Sequence, residues 1–219
     1  MTASAAFDQA FGQCPLIAIL RGITADEAFA IGDALVDSGF RIIEVPLNSP
    51  DPLRTIERLA THLAGRAVIG AGTVITPHDV EDVAAAGGTL IVAPNFDSAV
   101  VTRATERGLI AVPGVFTATE TFAALAAGAA AVKLFPAELA SPGGVRALMS
   151  VVPKDTRILP VGGISPESLS TWHAAGAAGF GIGSALYKPG FTADDVRTRA
   201  VQFVGAASSL RNDKAAAPS

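Results

Sequence analysis

Lys133 is one of four lysines in the chain and the only one enclosed by a strand-like apolar run, AVKLF at 131–135. Lys154, Lys188 and Lys214 fall in loop or tail segments. An ammonium in apolar surroundings is costly, so burial favours the neutral amine and lowers its pKa. A neutral lysine amine is a nucleophile toward a ketone carbonyl, and loss of water then gives an imine. The competing reading is a core lysine paired with a carboxylate. That carboxylate would be Glu44, which follows two isoleucines in RIIEV at 41–45 and is the one acid inside a strand pattern. With the pair sharing a pocket mouth, Glu44 would move protons through a water during carbinolamine formation, dehydration and carbon–carbon cleavage. As a purely structural group it would pair with Lys133 or Arg21.

A second constellation has the character of an anion site. Val161-Gly162-Gly163-Ile164 and Gly181-Ile182-Gly183-Ser184 place small residues where backbone N–H groups can approach an anion. Ser165-Pro166-Glu167 then reads as a helix start with proline at its first position. Close helix–strand packing is the other explanation for such glycines. Arg21, after LIAIL, could bind a carboxylate or phosphate through its planar fork. Thr73 in GAGT could donate its hydroxyl to a carboxylate. Phe135 reads either as pocket lining or as ordinary packing, and Asn48 and Pro94 fall at further strand ends.

The elements that must position these groups alternate along the chain. Apolar runs occur at 16–20, 41–45, 67–72, 89–94, 109–114, 131–136, 157–163 and 179–184. Helix-like stretches lie between them, several opening on Thr, Ser or Asp and closing at Gly. Eight such units predict an α/β fold, a (β/α)₈ TIM barrel whose chemistry comes from the C-terminal ends of its strands. A doubly wound open sheet is the alternative, but it usually has five or six strands and one phosphate turn. The reading is one barrel domain over residues 1–205, opened by a short helix across the barrel bottom, with a frayed tail at 206–219.

Composition narrows the partners. The chain carries 16 Lys+Arg against 20 Asp+Glu, a net charge of −4, with no basic run to track a nucleic-acid backbone. No stretch resembles a secretory leader or a membrane span, so a cytoplasmic protein with a small-molecule substrate is expected. Cys14 is the single cysteine and reads as a packed thiol. His62, His78 and His173 fall on helix patterns, away from strand ends. Metal-dependent aldolases and epimerases therefore lack their usual ligand cluster, and imine chemistry from a lysine needs neither metal nor cofactor.

Taken together, PLIAILRG, GFRIIEVPLNSP, IGAGTV, IVAPN, AVKLFP, PVGGI and GIGSALY resemble the 2-keto-3-deoxy-6-phosphogluconate/6-phosphogalactonate aldolases across residues 14–205. The resemblance implies a trimeric class I aldolase that cleaves a phosphorylated keto-deoxy sugar acid to pyruvate and D-glyceraldehyde 3-phosphate. It implies Lys133 as the Schiff-base residue, Glu44 as general acid/base, and substrate contacts from Arg21, Thr73, Gly163, Gly183 and Ser184. Gluconate-branch members typically carry Arg-Thr where this chain has Asn48-Ser49, and Thr where it has Val161. The resemblance is thus to the galactonate branch, implying 2-dehydro-3-deoxy-6-phosphogalactonate as substrate and its gluconate epimer as the alternative. A hydroxyl at 161 could bond one configuration at C4 and a valine cannot, a difference on the order of 1–3 kcal/mol. An isomerase or epimerase barrel and a non-catalytic sugar-phosphate sensor are the rival readings. Glu138, in FPAELASPG, has no role in any of them.

Overall fold

The computed structural model describes residues 2–216, with side chains described through residue 210. The strands are β1 (Leu16–Ile19), β2 (Ile42–Pro46), β3 (Val68–Gly72), β4 (Leu90–Val92), β5 (Ile110–Val112), β6 (Gly114–Val115), β7 (Val132–Leu134), β8 (Ile158–Pro160) and β9 (Phe180–Ile182). All pair in parallel, in the orders β5-β4-β3-β2-β1-β9 and β6-β7-β8. A parallel bridge between Val161 and Gly181 joins β8 to β9. At the other seam β5 and β6 are two pieces of one strand interrupted at Pro113, which has no N–H for the ladder. The sheet therefore curls into the predicted eight-membered barrel, with its fifth strand in two parts.

Helices α1 (Ala3–Gln13), α2 (Ala28–Asp37), α3 (Pro52–His62), α4 (Pro77–Ala85), α5 (Ser98–Glu106), α6 (Ala118–Ala126), α7 (Pro142–Met149), α8 (Leu169–Ala174) and α9 (Ala193–Ala216) accompany the strands. Their starts follow the sequence signals. The Thr76 hydroxyl accepts from the Asp79 N–H at 3.1 Å while the Asp79 carboxylate accepts from the Thr76 N–H at 2.9 Å. Thr117 and Glu120 repeat that box on α6. Each such cap contributes about 1 kcal/mol by satisfying N–H groups that the first turn leaves free. None of the described helices is long and apolar enough to cross a membrane.

Alternation along the strands sorts the core into two compartments. Leu16, Ala18, Ile43, Val45, Ile69, Ala71, Ile91, Ala111, Val132, Leu134 and Ile158 pack outward against the helices. Ile17, Ile42, Val68, Leu90, Val92, Ile110, Val112, Ala131 and Leu159 turn the other way and meet Phe7, Ala10 and Phe11 of α1. The opening helix thus packs against the inward-facing residues at the N-terminal ends of the strands. Arg157 fastens it, with its guanidinium 5.2 Å from the Phe11 ring and 2.7 Å from Asp8.

The C-terminal boundary differs from the sequence reading. Helix α9 continues through the expected tail junction at 205 to Ala216 and packs on α2. Ala200, Phe203, Ala207 and Leu210 are buried, and their three-and-four spacing is one helical stripe running across that junction. Residues 217–219 and the side chains from 211 onward, where a frayed end was expected, lie outside the described residues.

Candidate active site

Glu44 and Lys133 occupy the inward-facing positions two residues beyond Ile42 and Ala131, the layer above the apolar plug. Glu44 lies mid-strand in β2, so the pair sits inside the barrel and not at its mouth as the sequence suggested. Glu44 is 1% exposed and Lys133 6% exposed. Burial pushes the Glu44 carboxyl up to about 7, against the opposing pull of the Lys133 and Arg21 charges. Burial also holds the Lys133 amine below its usual range; Glu44 works against that shift and Arg21 adds to it. No Glu44 ion pair forms within 4 Å among the described residues, and its buried Oε2 has no hydrogen-bond partner. A buried acid and a buried amine therefore act on one another electrostatically without a direct ion-pair contact. Gly72 makes room for this arrangement: a Cβ there would overlap the Glu44 carboxylate.

The other predicted residues separate into two groups. Arg21 Nη1 donates to Asn48 Oδ1 at 2.7 Å, and the Gly22 N–H donates to the buried Ser49 hydroxyl at 2.9 Å. Asn48-Ser49 thus braces Arg21-Gly22, which ties the branch-marking pair to the cavity wall through Arg21. Thr73 has φ +59°, a left-handed conformation that is uncommon for a β-branched residue and costs on the order of 1–3 kcal/mol. Thr73, Asn48, Pro94 and Glu44 do not line the main cavity.

That cavity, about 850 Å³, opens at the C-terminal ends of the strands. Its walls include Arg21, Lys133, Phe135, Val161, the Gly162–Gly163 pair and the Gly183–Ser184 pair, so eight of the twelve predicted site residues meet there. The Lys133 ammonium nitrogen lies 4.7 Å from the centroid of the Phe135 ring, which makes Phe135 part of the lysine's apolar surroundings. Ser165 caps a 3-10 turn at Pro166–Ser168 that leads into α8, with the Ser165 N–H bonded to the Ser168 hydroxyl at 3.0 Å. An 850 Å³ cleft with an amine at its floor and glycine N–H groups at its rim suits an elongated anionic substrate.

The KDPG and KHG aldolase family model matches residues 7–201. This chain belongs to that family. It is 48% identical over 192 residues to the probable 2-dehydro-3-deoxy-6-phosphogalactonate aldolase of Rhizobium meliloti (strain 1021), covering 88% of this chain and 91% of the relative. It is 46% identical to the 2-dehydro-3-deoxy-6-phosphogalactonate aldolase of Escherichia coli (strain K12), with 88% and 94% covered. The solved structure described as native KDPGal superposes with a TM-score of 0.90 at 44% identity, covering 91% of this chain and 97% of that one.

Three residues of this family member were not singled out for the site from sequence. Lys188, which the loop reading set aside, and Tyr187 both line the cavity beside Ser184. The Tyr187 hydroxyl is pushed up to about 12 by burial and by the Glu27 charge, so it stays a neutral donor. The third is Glu138, noted in the sequence without a role, which lies on the same wall. The run GSALYK just past β9 was the available signal for Lys188. The histidines stay away from the site: His62 bonds Asp33 at 2.8 Å and the His173 ring lies 3.0 Å from the Ala177 carbonyl. Among the described residues no group of three His, Cys, Asp or Glu could hold a metal ion.

Proposed function

We propose that this protein is a class I aldolase that cleaves 2-dehydro-3-deoxy-6-phospho-D-galactonate to pyruvate and D-glyceraldehyde 3-phosphate. The observation that carries the reading is the buried Lys133 amine lining the cavity, with Glu44 buried in the same inward-facing layer of the barrel. Lys133, held toward its neutral form, attacks the C2 ketone; the carbinolamine loses water to give an iminium. Glu44, acting through a water, takes the C4 hydroxyl proton as the C3–C4 bond breaks and its electrons pass into the iminium. The aldehyde leaves, C3 of the resulting enamine takes a proton back from the Glu44 side, and hydrolysis frees pyruvate and the amine. A carboxyl titrating near 7 suits a group that must first accept and then return a proton.

Thr73 and the Asn48-braced Arg21 hold the substrate carboxylate. Gly162, Gly163, Gly183, Ser184 and Lys188 receive the phosphate, with Lys188 supplying a cation beside Ser184. Phe135, Val161 and Pro94 shape the space around the reacting carbons. The galactonate reading is favoured over gluconate by Val161, which offers no hydrogen bond toward C4, and by the names of the two relatives above. The protein acts in the cytoplasm as a homotrimer in this reading. Support for self-association comes from an apolar groove of about 520 Å³ beside exposed Phe116, Leu139 and Val151.

The deciding experiment incubates the protein with pyruvate and borohydride, locates the adduct, and assays cleavage of the galactonate- and gluconate-derived phosphates side by side. A reduced pyruvyl adduct on Lys133 and faster cleavage of the galactonate substrate are expected. An unmodified Lys133 sinks the imine; equal rates on the two epimers sink the Val161 argument.

A further inference from the structure

We propose that Ile19 is a specificity-determining residue that packs against C3 of the keto acid held on Lys133. It thereby restricts the carbon nucleophile to pyruvate, whose C3 is a bare methyl group. The proposal rests on the aldolase reading above.

Ile19 is the last residue of β1 and stands two positions beyond Ile17, so it faces inward above the packed lower compartment. Strand register places it opposite Glu44 on β2. Lys133 and Val161 hold the equivalent inward positions, two residues beyond Ala131 and Leu159. One layer of the barrel therefore carries the buried amine, the buried acid and two buried β-branched side chains. Ile19 is 6% exposed and Val161 7% exposed, yet both line the cavity and neither belongs to the two packed compartments. Their apolar surface is offered to whatever fills the cavity.

This wall has little room to yield. A Cβ at Gly181 would lie 2.7 Å from Val161 Cγ2 and 3.3 Å from Ile19 Cδ1, so both side chains already occupy the space that glycine leaves open. Glu44 fills the neighbouring strand position, and the β-branch stiffens Ile19 about χ1. The bound keto acid extends from the imine carbon at Lys133, with its carboxylate toward Arg21 and its phosphate toward Ser184. C3 is the one carbon between the imine and the phosphate that bears no oxygen, so it matches the apolar Ile19; C4, one carbon farther, falls at Val161. C3 also exchanges its proton on the Glu44 side, and the register partner of Glu44 is Ile19. Both requirements put the same carbon against Ile19. A further methyl on C3 would have to displace Ile19 Cδ1, and a hydroxyl there would find no hydrogen-bond partner in that side chain.

The test uses the aldol-addition direction with D-glyceraldehyde 3-phosphate and two keto acids, pyruvate and 2-oxobutanoate, whose C3 carries one further methyl group. The wild-type protein is expected to favour pyruvate in kcat/KM by at least about 10-fold, the scale of one methylene in a fitted apolar pocket. In Ile19→Ala that preference should fall to near parity or reverse, because the vacated space admits the extra methyl. Ile19→Val loses only the Cδ1 methyl and keeps the β-branch, so it should fold even where the alanine variant does not. It should shift the preference the same way by a smaller factor. Borohydride trapping on Lys133 should show the same gain for 2-oxobutanoate relative to pyruvate. A merely structural role for Ile19 would lower both rates together and leave their ratio unchanged. A wild-type protein indifferent to the extra methyl, or a preference unchanged in each variant that folds, would overturn the proposal. Failure of the wild-type protein to trap pyruvate would instead overturn the aldolase reading, and this one with it.

Discussion

The two halves of the barrel interior are built on the same strands and differ by two residues along each. In the lower half Ile17, Ile42, Leu90, Ile110 and Leu159 close around Phe7 and Phe11, whose rings stack at 5.6 Å. In the upper half the inward positions include Glu44, Gly70, Gly72, Lys133 and Gly181, and Lys133 and Gly181 line the cavity instead of packing on α1. The lower half is a packed core that excludes water and carries no ionisable side chain in its buried cluster. The upper half forgoes that packing, and glycines there let the Glu44 carboxylate and neighbouring strands come close. Packing is concentrated at one end of the barrel and the proposed chemistry at the other, so substitutions in the two halves should have separable effects.

The largest expected effect is in the upper half. Lys133→Met removes the proposed nucleophile and should abolish most of an acceleration of at least ~10⁶-fold, while thermal unfolding stays unchanged or improves because a buried amine is replaced by an apolar chain. Cleavage rate and melting temperature, measured on one preparation, check both halves of that statement.

Glu44→Gln should lower kcat roughly 10²- to 10⁴-fold and remove the limb of the pH–rate profile near 7. It should also change stability against pH. A carboxyl raised to about 7 in the folded state binds its proton more tightly there than in the unfolded chain, where 4.5 is the ordinary value. Stability is therefore fully present below about 4.5 and is lost as pH rises through about 7. The glutamine variant should lack that decline, which denaturant titrations at pH 5 and pH 8 would reveal.

In the lower half the pattern reverses. Phe11→Ala should cost about 3 kcal/mol of folding stability by opening a cavity in the plug, read as a shifted denaturation midpoint. Pyruvate trapping by the folded fraction should be unaffected; impaired trapping would show that the two halves are coupled. Smallest is Lys188→Ala at the rim, expected to raise KM for the phosphorylated substrate about 10-fold with little change in kcat. The increase should shrink at high salt, since the charge it removes is exposed.

Much of this was legible in the chain itself. Short apolar runs alternating with capped helical stretches defined eight units, and a lone lysine and a lone acid inside such runs marked Lys133 and Glu44, because burying charge without purpose is costly. Local chemistry also fixed helix starts, as at Thr76 and Thr117. The long-range consequences were not local. Pairing across the closed sheet put Glu44 and Lys133 inside the barrel, and strand register set Gly72 against the Glu44 carboxylate. Asn48 became a brace for Arg21, and the loop after β9 brought Lys188 to the rim. Glu138 reached the cavity wall through its turn, Ala137–Leu139, which the Ala137 N–H ties to the Val161 carbonyl. Sequence determined which groups exist and which way each faces along its own strand. Closure of the barrel alone decided distances between groups on different strands, and with them burial and the shifted acidities on which the chemistry depends.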